Sequence, residues 1–218
     1  MKHIVWDWNG TLLDDCTLVV AATNASLAAA GGRPVTIEEY QRGFSRPVDG
    51  YYGSVLGRVL TADEFALLDR TFHTTYAGGL ATCALAPGAL DALASAGGSQ
   101  SLLSMWFHDQ LVPTVDTYGL TRYFRRVDGL RATIGGGSKA PHLAEHIAAL
   151  GLRGDECVLI GDSIDDAVAA ASVGADCVLY SGGFTDQQRL SAVGVPVART
   201  LLDALALVGA PTPTAKAH

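Results

Sequence analysis

At 218 residues and 49% hydrophobic composition, the chain has material for one core with an inserted module and is not composed like a disordered protein. Its formal charge of -7, with Lys and Arg scattered singly, gives no basic stripe to follow a nucleic acid; an anionic ligand must meet local positive potential from a metal, a lysine or helix N-termini. No apolar run approaches the roughly 18 residues of a membrane span, and Cys16, Cys83, Cys157 and Cys177 form no CxxC pair, so neither signal segment nor membrane anchor is expected and the thiols read as those of a cytoplasmic protein.

His3-Ile4-Val5-Trp6 is a short apolar run that ends at Asp7, and Asn9-Gly10 follows as turn chemistry, which predicts a strand and then a loop. The alanine-rich segment from Thr17 to Ala30 favours helix, with Gly31-Gly32 as its stop. Thr36 to Glu39 and Thr61 to Glu64 are capping-box patterns that each open a further helix, so residues 17 to about 80 read as wholly helical. Past Pro87-Gly88, short apolar runs alternate with helical ones at the cadence of βα units. A helix is expected over Leu85 to Ala96, a strand over Ser101 to Ser104, and a helix over Phe107 to Tyr118 with a bend near Pro113. The loop containing Gly135, Gly136 and Gly137 lacks phosphate-loop order and reads as a flexible connection. Pro141 suits the first turn of a helix running to Leu150; a strand at Cys157 to Ile160, a helix at Ile164 to Val173 and a strand at Asp176 to Tyr180 follow. The sum is an α/β chain, a doubly wound parallel sheet interrupted after its first strand by a helical insertion.

In such sheets ligands bind beyond the carboxyl ends of the strands, and Asp7, Ser104 and Asp162 are each expected at such an end. Two carboxylates brought together repel unless a cation lies between them, and hard oxygen ligands beside a phosphate suit Mg²⁺. Lys139 offers a point positive charge and Ser104 a hydroxyl donor, both fitting a phosphoryl site. Of Asp165 and Asp166, Asp166 stands four residues after Asp162 and is the better candidate to hold Lys139 or the waters of a metal. The small residues Gly10 and Thr11 let a phosphoryl group approach the loop backbone. Trp6 and Trp8 read as core. His142 and His146, at i and i+4 with no third ligand, read as a solvated helix face.

Asp7-Trp8-Asn9-Gly10-Thr11-Leu12, Ser104, Lys139 and Gly161-Asp162-Ser163-Ile164-Asp165-Asp166 resemble the four ordered motifs of the haloacid dehalogenase superfamily, over about residues 2 to 208. The resemblance implies a Rossmann-like core, residues 1–13 and 85–210, and a small helical cap, residues 14–84, as in phosphoglycolate phosphatase-like and β-phosphoglucomutase-like members; residues 211–218 are expected to form a frayed tail. It implies that Asp7 is a nucleophile forming an aspartyl-phosphate from a phosphorylated small molecule, that Ser104 and Lys139 hold the phosphoryl group, and that Asp7, Asp162 and the backbone carbonyl of Asn9 ligate Mg²⁺. Arg46, in Gly43-Phe44-Ser45-Arg46-Pro47, resembles a substrate-facing cap residue, the other reading being a surface arginine.

Phosphatases of this family usually carry a second aspartate where this chain has Asn9, and an amide cannot exchange a proton near neutral pH, a loss worth about 10² to 10⁴ in rate. Three outcomes stay open: a slow phosphatase, a phosphotransferase or mutase with a long-lived phosphoenzyme, or a sensor that binds a phospho-ligand without turnover. Deamidation at Asn9-Gly10 would restore the carboxylate pair. The carboxylate at Asp162 argues against a dehalogenase, and the lack of lysine in residues 14–84 argues against phosphonate cleavage by a cap Schiff base.

Overall fold

The computed structural model describes residues 1–132 and 137–208. Strand β1 is His3–Trp6, and a turn leads to β2, Leu13–Asp14. Four helices follow: α1 Cys16–Ala29, α2 Ile37–Gly43, α3 Val48–Leu56 and α4 Ala62–Gly79. Both expected capping boxes form, with Thr36 and Thr61 accepting from the backbone N–H of Glu39 and Glu64 while each glutamate reaches back to its cap. The chain returns through β3, Ala84–Leu85, which pairs antiparallel with β2. This two-stranded ribbon at the root of the helical insertion is too short to show in the sequence.

After β3 come α5 Ala89–Ser95, β4 Gln100–Phe107, α6 His108–Thr117, β5 Val127–Leu130, α7 Ala140–Ala149, β6 Cys157–Gly161, α8 Ile164–Val173, β7 Asp176–Tyr180, α9 Gln187–Ser191, β8 Val197–Ala198 and α10 Leu201–Leu207. The main sheet has the order β5-β4-β1-β6-β7-β8, every neighbour parallel. Alternation along the strands divides the core between the two faces. Ile4, Trp6, Val158, Ile160 and Val178 join the larger cluster, which continues into the helical insertion; Val5, Cys157, Leu159, Cys177 and Leu179 pack on the other face with α7 and α8. The fold is the expected Rossmann-like sheet with a helical insertion, and no helix among the described residues is long and apolar enough to cross a membrane.

Several local expectations are corrected. The helix expected from Leu85 begins at Ala89, because the preceding Pro87-Gly88 turn, with Gly88 in the left-handed region, separates it from β3. The strand expected to end at Ser104 runs on to Phe107, with a register shift after Leu103, so Ser104 lies within β4 at the point where regular pairing stops. Strand β5 was not expected: its Asp128 and Gly129 hide it, and the buried Asp128 is stabilised by Arg126, Arg131 and His146. His146 is buried too, so α7 does not present His142 and His146 on a solvated face. Gly135, Gly136 and the tail 211–218 lie outside the described residues.

Candidate active site

Asp7 follows the last residue of β1 and Asp162 the last residue of the adjacent β6, so parallel pairing of Trp6 with Ile160 brings two carboxylates to one sheet edge. Asp7 N–H donates to the Ile160 carbonyl (2.9 Å), tying the loop to that edge. Asp166 comes from the first turn of α8, whose N-cap Ser163 accepts from the Asp166 N–H, while the Asp166 carboxylate reaches back to Ser163. The three carboxylates offer oxygens within 4.8 Å of one another, and all three residues are buried.

Lys139, at the start of α7, enters this cluster from the side. Its Nζ is 2.8 Å from Asp7 Oδ1 and makes a close ion pair with Asp166 Oδ1. Its backbone N–H donates to Asp165 Oδ2 (2.8 Å), so the two neighbouring aspartates divide the work: Asp166 takes the ammonium and Asp165 the main chain. The Asp7 Oδ1 also accepts from the Trp8 N–H (2.8 Å).

One ammonium among three buried carboxylates leaves an excess of negative charge, and the titration behaviour follows. Burial raises the Asp7 carboxyl to about 6 against the lowering charge of Lys139, with Asp166 adding to the rise. Asp162 is pushed well up by burial and then by the charges of Asp7 and Asp166, despite donors from Phe184 and Thr11. Burial disfavours the Lys139 ammonium, but Asp166 and Asp7 more than offset it and hold it charged.

Tight packing holds Asp162 in place. Its Oδ1 accepts from Thr11 Oγ1 (3.0 Å) and its Oδ2 from the Phe184 N–H (2.6 Å). A Cβ on Gly10, which has φ +72°, would sit 2.5 Å from Asp162 Oδ2, and one on Gly183 would collide with the same carboxylate and with the Gly10 carbonyl. Gly10 and Thr11, expected beside a substrate, are thus placed against Asp162, and Thr11 is fully buried. Arg46 does come to the site. It lines the cavity around Asp7, with Nε 3.9 Å from Asp165 Oδ2 and Nη1 donating to the Gly137 carbonyl (3.2 Å).

The Asn9 side chain bonds to the helical insertion and to β4. Its Nδ2 donates to Asp15 Oδ2 and to the Tyr76 hydroxyl, both at 2.8 Å, and its Oδ1 accepts from Ser104 Oγ (3.0 Å). Tyr76 in turn donates to Asp15 Oδ2 (2.7 Å), and Asp15 Oδ1 accepts from the Gly10 N–H (2.8 Å). The Ser104 hydroxyl is therefore engaged with the amide, and it also accepts from the Trp106 N–H (3.0 Å). Deamidation needs the Gly10 nitrogen to attack the Asn9 amide carbon; here that nitrogen is bound to Asp15 and the amide is held at both ends, a geometry that opposes it. Asp15, buried and raised to about 6 by burial against the hydrogen bonds from Asn9, Tyr76 and Gly10, was not singled out in the sequence. Its only signal was the Asp14-Asp15 doublet just after the loop.

A sheet-edge carboxylate pair, a lysine from a later helix and a helical insertion over that edge define a class. A family model described as haloacid dehalogenase-like hydrolase matches residues 1–174, and the chain belongs to that family. Among curated proteins it is similar to a phosphoglycolate phosphatase of Caulobacter vibrioides, 27% identical over 192 residues, covering 84% of this chain and 81% of that one. It is likewise similar to a phosphoglycolate phosphatase of Synechococcus elongatus, 28% identical, covering 88% and 89%. Its fold matches a predicted phosphatase from Clostridium acetobutylicum at TM-score 0.81 with 14% identity, covering 95% of this chain and 97% of that one. It also matches a hydrolase from Pseudomonas syringae at TM-score 0.76 with 23% identity, covering 96% and 98%.

Proposed function

We propose that this chain is a Mg²⁺-dependent phosphatase that hydrolyses a small-molecule phosphomonoester through an aspartyl-phosphate on Asp7. The observation that carries the reading is the buried cluster of Asp7, Asp162 and Asp166 around Lys139, whose carboxylates outnumber its one cation. Such a set fits a hard divalent cation, because a metal relieves the repulsion that now raises Asp7 and Asp162. Asp7, Asp162 and the Asn9 backbone carbonyl would hold the ion, which would neutralise the phosphate oxygens when bound.

In the first step an Asp7 oxygen forms a bond to phosphorus while the ester P–O bond breaks and the leaving oxygen takes a proton from solvent to depart as the alcohol. In the second, water attacks the same phosphorus, inorganic phosphate leaves, and the Asp7 carboxylate is regenerated. Lys139 holds Asp7 in position and sets a positive charge beside the phosphoryl oxygens, with Asp166 orienting it. Residues 14–84 are assigned as the cap that excludes bulk water, and 1–13 with 85–210 as the core. Arg46 is the residue we assign to reach substrate from the cap. Ser104 acts in our reading by holding the Asn9 amide.

The orientation of that amide favours a second reading of the same site. An amide at residue 9 has no carboxyl to protonate the alcohol or activate water, and its bonds to Asp15, Tyr76 and Ser104 hold it in place, so in this reading the phosphoenzyme persists and becomes available to a second acceptor. The test is release of phosphate from small phosphomonoesters with Mg²⁺. We expect activity in the wild type, loss in Asp7→Asn and loss on chelation; full activity in Asp7→Asn sinks the proposal.

A further inference from the structure

Asp162 is oriented by the segment that follows β7. Phe184 N–H donates to Asp162 Oδ2 (2.6 Å), and Gly183 packs so closely that a Cβ there would stand 2.2 Å from the same oxygen and 2.4 Å from the Gly10 carbonyl. With no room between this backbone and the carboxylate, a shift in one displaces the other.

The same segment is bonded on its other side to α2 of the helical insertion. Gln41 Nε2 donates to the Gly183 carbonyl (2.8 Å), and the Gln41 carbonyl accepts from Asp186 N–H (3.2 Å). Arg189, in α9, donates through Nη1 to the carbonyls of Gln41 and Phe44, both at 2.9 Å. The last carbonyls of a helix find no partner within it, and a guanidinium there also meets the negative end of the helix dipole. The Phe184 ring lies edge-on to Tyr40 at 6.3 Å and to Phe44 at 6.5 Å between centroids. The Asp186 side chain accepts from the N–H groups of Gln188 and Arg189, which fixes the start of α9 on this segment.

Two neighbouring residues therefore carry both sets of contacts. Gly183 packs on Asp162 and gives its carbonyl to Gln41; Phe184 gives its N–H to Asp162 and its ring to α2. If α2 lets go, the donor that orients Asp162 is freed as well. A cation that binds best to the oriented carboxylate must favour the docked insertion, and by linkage the docked insertion must strengthen the cation by the same factor.

We propose that residues 183–189 form a strap that couples Mg²⁺ binding at Asp162 to the seating of the helical insertion, with Gln41 and Arg189 as positioning residues. The proposal deepens the metal-dependent phosphatase reading and rests on it. Neither Gln41 nor Arg189 lines the Asp7 cavity, so both act through the strap.

The test reads the metal and the insertion separately from turnover. Isothermal titration calorimetry gives the Mg²⁺ Kd of wild type, Gln41→Met and Arg189→Met, with Arg58→Met as the control, since Arg58 pairs with Glu64 within the insertion. We expect Kd to rise about fivefold or more in Arg189→Met, to rise in the same direction in Gln41→Met, and to stay unchanged in Arg58→Met. Hydrogen exchange followed by mass spectrometry then reads the peptide over residues 37–44. Mg²⁺ should slow its exchange in wild type, and that protection should vanish in Asp162→Asn and shrink in Arg189→Met. A strap that only holds the fold together would lower Tm in the variants and leave the Mg²⁺ Kd alone. That result, an equal loss in Arg58→Met, or exchange over 37–44 that ignores Mg²⁺ in wild type overturns the coupling, and the phosphatase reading stands if wild type still releases phosphate. A wild type that neither binds Mg²⁺ nor releases phosphate overturns both.

Discussion

At residue 9 an amide meets a carboxylate: Asn9 donates to the buried Asp15 at the root of the insertion, so the negative charge of that pair is on Asp15. An Asn9→Asp change alone would set two carboxylates in contact, with the Asp15 carboxyl already raised to about 6 by burial. We therefore expect that variant to melt lower than wild type at neutral pH by differential scanning calorimetry. Asn9→Asp combined with Asp15→Asn should recover stability and raise kcat by about 10² or more, since general acid and base catalysis returns. An unchanged kcat in the double variant would show that residue 9 does not limit the rate. Asp7 and Asp162 were expected at the ends of apolar runs, Asp166 from its place four residues after Asp162 and Lys139 from its place at the edge of a helix, and the structure brings the four together. Asp15 and Tyr76 were not, because what matters in them is a contact between residues 61 apart.

At the scale of elements, strands and helices with regular periodicity appear where the sequence predicts them, and those stabilised by tertiary contacts do not. Strands β1 and β7 and helix α8 have the expected bounds; β5 escaped because its buried Asp128 is held by the flanking Arg126 and by His146 from α7. That same network crosses four elements. His3 Nε2 and His146 Nε2 both meet Ser101 Oγ at 2.8 Å, and His146 Nδ1 meets Asp128 Oδ2 at 2.7 Å. Burial, then the charges of His146 and Arg125, lower His3 to about 4. A histidine lowered in the folded state binds its proton first in the unfolded state, so it costs stability as pH falls from about 6.5 through about 4. Asp7 and Asp15, both raised, act in the opposite direction over much of that range, so the informative quantity is a difference. Urea melts should show His3→Gln losing less stability than wild type between pH 7 and about 4. Parallel pH dependence in the two proteins would exclude this role.

For the whole molecule, the parallel sheet collects its reactive groups at one edge while the helical insertion places an aromatic chamber over them. The sequence revealed the sheet edge but not the chamber, because its rings come from separate helices and strands and read singly as ordinary core residues. If the acidic cluster holds Mg²⁺ as proposed, metal binding becomes a global stability effect. Mg²⁺ at about a hundred times its Kd should stabilise the fold by about 2.7 kcal/mol, seen as a rise in Tm, and Asp162→Asn should abolish most of that rise. An equal rise in the variant would place the ion elsewhere.

In the proposed reaction Asp7 is the nucleophile, and Asn9 leaves its phosphoryl adduct slow to hydrolyse. The most direct measurement is acid quenching of the protein during turnover of a phosphomonoester with Mg²⁺, followed by peptide mapping by mass spectrometry. A phosphoryl adduct is expected on the peptide carrying Asp7, absent in Asp7→Asn and less populated in the Asn9→Asp, Asp15→Asn double variant. Turnover with no adduct at Asp7, or with the adduct on another residue, would contradict it.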